Sequence, residues 1–182
     1  DECIAARVRS QEDSTASIFH MREVLRKDYG KLIGAKPSQI GLGLNTSYGL
    51  NVAAYGLPLK KGDEILVTDV EFPAIIYTFR AAAETRGLKL KFVKSKNRRI
   101  DLDALRAALS KRSRVLAISW VQFFDGYKYD LATLGDFCRE HGLYFVVDGI
   151  QGAGMEPIDV RKLGIDIFST GCQKWLLSPQ GC

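Results

Sequence analysis

Apolar runs of strand length alternate with stretches of helical period through most of this chain, and that alternation restricts the fold more than any other feature. The runs are "QIGLGLN" at 39–45, "EILVTD" at 64–69, "LKLKFVKS" at 88–95, "SRVLAISWV" at 113–121, "LYFVVDG" at 143–149 and "DIFSTG" at 166–171. Between them, "TSYGLNVAAYGL", "PAIIYTFRAAAETRG", "LDALRAALSKR" and "YDLATLGDFCREHG" space their apolar residues as helices do, and two of these end at glycine, a helix stop. The last interval, "GAGMEPIDVRKLGI", predicts only a helical turn. A βαβα order predicts the α/β class: a three-layer α/β/α fold with a mostly parallel sheet and helices on both faces. Ahead of it, "SIFHMREVLRKDYGKLIG" reads as an amphipathic helix. Residues 1–16 read as an irregular segment, leaving 17–182 as one domain.

Composition narrows the function classes. With 182 residues, 46% of them hydrophobic and 26% charged, the chain can bury a core of its own. No apolar stretch reaches the roughly 20 residues a membrane helix needs, and "DECIAARVRSQEDS" lacks the basic start and apolar middle of a secretory signal. A cytoplasmic protein without a membrane partner is the expectation. The four cysteines and two histidines have no ligand spacing, which argues against a metal site or a disulfide framework. The net charge of +5 concentrates in "KSKNRRI" at 94–100, a short run without interleaved aromatics that reads as a solvated loop rather than a nucleic-acid surface.

In doubly wound folds, ligands bind beyond the carboxyl ends of the strands, so the residues there carry the chemistry. Asp148 ends one apolar run and Lys174 follows another. Taken alone, Asp148 reads as a loop cap and Lys174 as a snorkelling side chain. Taken together they match what pyridoxal phosphate requires, an amine for its aldehyde and a carboxylate opposite its ring nitrogen. Phe72 in "DVEFPA" reads either as a core residue or as an aromatic stacked on such a ring. Thr46 and Ser47 stand where a helix begins, as a plain N-cap or as a cradle for phosphate. "GLGLNTSYG" approaches a dinucleotide fingerprint, but Thr46 occupies the place of the third glycine and the glycines fall inside the run, which argues against a nicotinamide site.

The order "NTSYGLN", "GDEILVTDVEFPA", "ISWVQF", "VVDGIQ" and "GCQKWLLSPQG" resembles the class V aminotransferase and cysteine desulfurase-like group of fold-type I pyridoxal-phosphate enzymes. The resemblance runs from about residue 17 to the end of the sequence. It implies a pyridoxal-phosphate-dependent transferase large domain. It makes Lys174 the Schiff-base lysine, Asp148 the partner of the ring nitrogen, Gln151 a donor to the ring hydroxyl, Phe72 the stacking residue, and Thr46 with Ser47 phosphate contacts. Lys174 and Asp148 would be catalytic, the substrate a small amino acid, and the assembly a homodimer.

The sequence departs from that family at several points. Gly171-Cys172-Gln173 replaces the usual Ser-Gly-His before the lysine, so part of the phosphate grip falls to Ser169, Thr170 or Gln173. Phe72 stands where desulfurases carry a titratable histidine, which disfavours desulfurase chemistry. Phe123 replaces an asparagine, leaving the role of Gln122 open, and Trp120 reads as pocket wall or core. Family members continue past "SPQG" into an antiparallel strand and a small domain. The chain is therefore expected to be truncated before the small domain, with a gap in the sheet beside the run at 39–45. Three readings follow: the cofactor-binding portion of an aminotransferase-like enzyme, a cysteine desulfurase or lyase of the same fold, or a non-catalytic truncated remnant.

Overall fold

The computed structural model describes residues 11–179, which fall into two compact units divided after Leu42. In the first unit, helix α1 (Gln11–Ile33) is followed by a 3-10 turn at Pro37–Gln39, whose Gln39 side chain accepts a hydrogen bond from the Lys36 amide at 3.0 Å. The helix starts at Gln11, so residues 11–16 are helical rather than irregular; residues 1–10 lie outside the described part.

The second unit holds the α/β fold. Its elements are α2 (Thr46–Gly56), β1 (Glu64–Thr68), α3 (Pro73–Arg86), β2 (Lys89–Val93), α4 (Leu102–Ala108), β3 (Ser113–Ser119), α5 (Leu131–His141), β4 (Tyr144–Asp148) and β5 (Ile167–Ser169). The five strands form one sheet in the order β2-β1-β3-β4-β5, every neighbouring pair parallel. Parallel strands covered on both faces are apolar at nearly every position, which is why "EILVT" and "YFVVD" read as continuous runs.

Alternation along these strands sorts the core into two layers. Ile65, Val67, Val115, Ala117 and Val146 pack with Leu50 of α2 and Phe79 of α3. Leu66, Leu116, Ile118, Phe145 and Val147 pack on the opposite face with Leu105 of α4 and Phe137 of α5. Phe79 and Phe145 are fully buried, each contributing about 2–3 kcal/mol of transfer free energy. Capping fixes the helix ends. Asp101 and Asp130 accept amide hydrogen bonds at the starts of α4 and α5, and Gly87 and Gly142 close α3 and α5 in the left-handed conformation.

One predicted strand is absent: no residue of 39–45 belongs to the sheet. Ile40 is extended, but a strand exists through its ladder, and no described segment pairs with this one. The expected gap beside that run is accordingly not a feature of the sheet, which ends at β5. The interval at 152–165, where a helical turn is expected, contains turns and an isolated bridge between Ala153 and Glu156 but no helix.

Candidate active site

The parallel register brings three polar residues into one row. Ser119 lies opposite Asp148, and Asp148 opposite Ser169, so the tips of β3, β4 and β5 end level with one another. Backbone bonds continue past the tips, from the Trp120 amide to the Asp148 carbonyl at 2.9 Å and from the Gly149 amide to the Ser169 carbonyl at 2.7 Å.

Asp148 is the centre of that row and only 2% exposed. Its Oδ1 accepts a hydrogen bond from the Ile150 amide at 2.9 Å, so the loop-cap reading is correct for one oxygen. Burial pushes the carboxyl up to about 6, opposed by the Ile150 amide and by the positive charge of Lys174. The lysine, half-buried in the turn after β5, is thus electrostatically coupled to the aspartate. Its Nζ lies 6.0 Å from the centre of the Phe123 ring. Gln151 is half-buried in the turn that leaves β4.

At the other end of the row, Ser169 Oγ donates to the Thr46 carbonyl at 2.8 Å, holding the start of α2 against β5. This contact requires Gly49, because a Cβ there would run into the Ser169 side chain. Neither Thr46 nor Ser47 is the N-cap. Asn45 is, its side chain accepting from the Tyr48 amide at 2.9 Å. Thr46 therefore sits in the first turn, where amides have no intrahelical partner, with its own Oγ1 buried and unsatisfied by any described group. Ser47 is half-buried beside it.

Phe72 caps α3 with 37% of its surface exposed, and its ring meets that of Phe123 at 5.1 Å and 57°. It is a wall of the site and not a core residue. Trp120 takes the other course: 5% exposed, edge-on to Phe168, it fills the core.

Two contributions escaped sequence reasoning. Gln122 donates to Glu71, a buried carboxylate that also accepts from Thr68 and Ser119. The basic run at 94–100 is not simply solvated. Arg98 stacks on Phe124 at 3.6 Å, and Arg99 pairs with Asp125 at 2.7 Å while lying over Tyr127. This bracing fixes the loop that presents Phe123. The signal was available only in part, since "FFDGY" supplies aromatics and an acid complementary to "RR" some 25 residues away.

With this geometry in view, comparison with known proteins gives a consistent class. The family model "Aminotransferase class-V" matches residues 2–182, and the chain belongs to that family. Among curated relatives, an uncharacterized aminotransferase YcbU of Bacillus subtilis (strain 168) is 27% identical over 159 residues, covering 87% of this chain and 42% of its own length. A probable cysteine desulfurase of Pyrococcus abyssi is 32% identical over 162 residues, covering 87% and 40%. Among solved structures, a lysine-to-alanine mutant of C-DES with glycine covalently linked to its PLP cofactor superposes with TM-score 0.90 at 26% identity, over 99% of this chain and 50% of that one. The cysteine desulfurase of Thermococcus onnurineus NA1 superposes with TM-score 0.85 at 30% identity, over 95% and 44%. The chain thus spans half or less of the length of these relatives. Among the described residues, no helix is long and apolar enough to cross a membrane.

Proposed function

We propose that this chain is the cofactor-binding portion of a pyridoxal-phosphate-dependent enzyme of aminotransferase type that acts on a small amino acid. The observation that carries the reading is the buried carboxylate of Asp148, one strand away from Lys174 and within the field of its ammonium. The buried, unpartnered hydroxyl of Thr46 at the first turn of α2 supports it, because a phosphate group would satisfy that hydroxyl and the neighbouring free amides. Structures of PLP-bound C-DES with TM-score 0.90 support the cofactor assignment.

Each residue then has a physical task. Thr46 and Ser47 hold the phosphate, with help from the positive end of the α2 dipole. Asp148 would keep a negative charge at the ring nitrogen and so favour its protonated form, while Phe72 would pack against the ring face and Gln151 would donate to the ring hydroxyl. Lys174 would be the attachment point for the cofactor aldehyde and, as a free amine, would move the proton at the substrate α carbon. When bound, the cofactor supplies an electron sink for the charge left on that carbon. Phe72 brings no titratable group to the ring face, so proton movement rests with Lys174.

The test is a visible absorbance titration of the chain with pyridoxal phosphate, followed by borohydride fixation and mass measurement. We expect a lysine-linked band and a fixed adduct on wild type, and neither on Lys174→Ala. No band at any cofactor concentration would overturn the reading and leave a non-catalytic remnant. The cysteine desulfurase or lyase alternative draws on relatives such as the Pyrococcus abyssi protein. Sulfide released from cysteine by the full-length protein would establish it, whereas keto-acid-dependent amino transfer would favour the aminotransferase.

The same proposal includes a homodimer, supported by exposed apolar side chains on α1 such as Phe19 and Leu25. Sedimentation over a wide concentration range should show association, and a single monomeric species throughout would overturn it. A cytoplasmic location is also proposed, supported by the buried free thiol of Cys138.

A further inference from the structure

Glu71 lies at the turn between β1 and α3, only 7% exposed, and both of its carboxylate oxygens are saturated. Oε1 accepts from Thr68 Oγ1 at 3.1 Å and from Gln122 Nε2 at 3.2 Å. Oε2 accepts from the Ser119 amide at 3.1 Å and from Ser119 Oγ at 2.6 Å. Burial raises its pKa and these four donors oppose the rise, with no cation among the causes. The Ser119 amide is a fixed donor to one oxygen, and the Gln122 amide group, as oriented, donates to the other. A carboxylate accepts at both without rearrangement, whereas an amide at this position would need the Gln122 group to turn over.

The placement of this clamp gives it a task. The next residue is Phe72, and the residue after Gln122 is Phe123, so Glu71 ties together the two backbone segments that carry the facing rings. Ser119, gripped at both its amide and its hydroxyl, is the register partner of Asp148. A single buried group thereby sets the spacing between the aromatic wall and the acid at the centre of the row. Nothing else among the described hydrogen bonds joins the β1–α3 turn to the β3 tip in this way.

We infer that Glu71 is a positioning residue: it holds Phe72 and the Gln122–Phe123 segment in one arrangement so that a planar cofactor ring meets Phe72 on a fixed face. This rests on the pyridoxal-phosphate reading above. Glu71 touches neither cofactor nor substrate. Its effect passes through Phe72 and through Ser119 to Asp148. The carboxylate is suited to this role because four hydrogen bonds around a buried group leave it little rotational freedom.

A bound chromophore reports such positioning directly. The visible circular dichroism of pyridoxal phosphate, divided by the amount of cofactor fixed by borohydride, measures how asymmetrically the ring is held. That ratio does not depend on how stable the fold is. With pyridoxal phosphate as the probe and the full chain as the protein, Glu71→Leu, which leaves no acceptor, should lose most of this signal per bound cofactor while Lys174 still attaches it. Ser119→Ala, which removes only the 2.6 Å hydroxyl bond, should lose a smaller part. Glu71→Gln keeps an acceptor for the Ser119 amide and can be met by the Gln122 group turned over, so it should retain more of the signal than Glu71→Leu. If Glu71→Leu fails to fold, Ser119→Ala decides the matter. A wild-type signal per bound cofactor in whichever of Glu71→Leu and Ser119→Ala folds would overturn the inference and leave the cofactor reading standing. No lysine-linked band on wild type would instead overturn the cofactor reading itself.

Discussion

Asp148 and Glu71 are both carboxylates buried at strand tips, with Ser119 between them, yet their surroundings differ. Glu71 accepts four hydrogen bonds and has no oxygen to spare. Asp148 accepts one at 2.9 Å from the Ile150 amide and otherwise relies on the field of Lys174. Burial raises the pKa of both. Four donors oppose the cost of burial at Glu71, and at Asp148 one amide and the charge of Lys174 oppose it. A closed carboxylate can only hold structure, whereas one with a single described hydrogen bond has room for a ligand under the proposed function.

The most severe way to probe this contrast is to delete the closed carboxylate. Glu71→Ala leaves a backbone amide, two hydroxyls and an amide group without their acceptor, and it should cost roughly 4 kcal/mol even with some water entering. Urea denaturation checks it. A loss below about 1 kcal/mol would show that the clamp is slack and that the two sites are alike.

Asp148 should behave in the opposite sense. Its folded pKa of about 6 lies above the ordinary carboxyl value of 3.8, so the folded chain binds this proton more tightly than the unfolded chain does. The stability that comes from this proton is fully present below pH 3.8 and is lost as pH rises to 6. Two units correspond to about 3 kcal/mol. Asp148→Asn keeps an oxygen for the Ile150 amide and removes the charge. It should therefore equal the wild type near pH 4 and exceed its stability by about 3 kcal/mol at pH 8, while weakening the cofactor chemistry. Parallel urea curves at these two pH values would test the claim, and a constant difference between the proteins would defeat it.

The two carboxylates also differ in how far the sequence exposed them. Asp148 stands at the end of "YFVVD", where strand periodicity and the rule about carboxyl ends both point. Glu71 does not announce itself. It reads as an ordinary acid before a proline-initiated helix, and its partners lie 3, 48 and 51 residues away, visible only once β1 and β3 are paired. The fold was legible because strands buried on both faces have continuous apolar runs, and helices bounded by Asp101, Asp130, Gly87 and Gly142 carry their own punctuation. The run at 39–45 misled because composition reports strand propensity but not whether a partner is present. The helix cap was missed by one residue: Asn45 takes the amide bond, and the Thr46 hydroxyl is left without a described partner.

The smallest expected effect separates the two regions by hydroxyl groups alone. Thr46 and Thr68 are both buried, at 7% and 0% exposure, and valine matches threonine in shape at each position. Thr68 Oγ1 donates to Glu71 and accepts from the Val70 amide, so Thr68→Val strands a buried carboxylate oxygen and an amide and should cost about 1–2 kcal/mol. Thr46 Oγ1 has no described partner, so Thr46→Val removes an uncompensated polar group and should be neutral or stabilise the chain by up to about 1 kcal/mol. With pyridoxal phosphate present the order changes. Thr46→Val should bind the cofactor more weakly and gain less thermal protection from it, because stabilisation by a ligand follows its affinity, whereas Thr68→Val should lose little of that protection. Melting curves of both variants with and without pyridoxal phosphate make the comparison. An equal stability loss in the two variants without cofactor would mean that the Thr46 hydroxyl is already satisfied within the chain, and Asp148 would then be the one incompletely paired group left in the row.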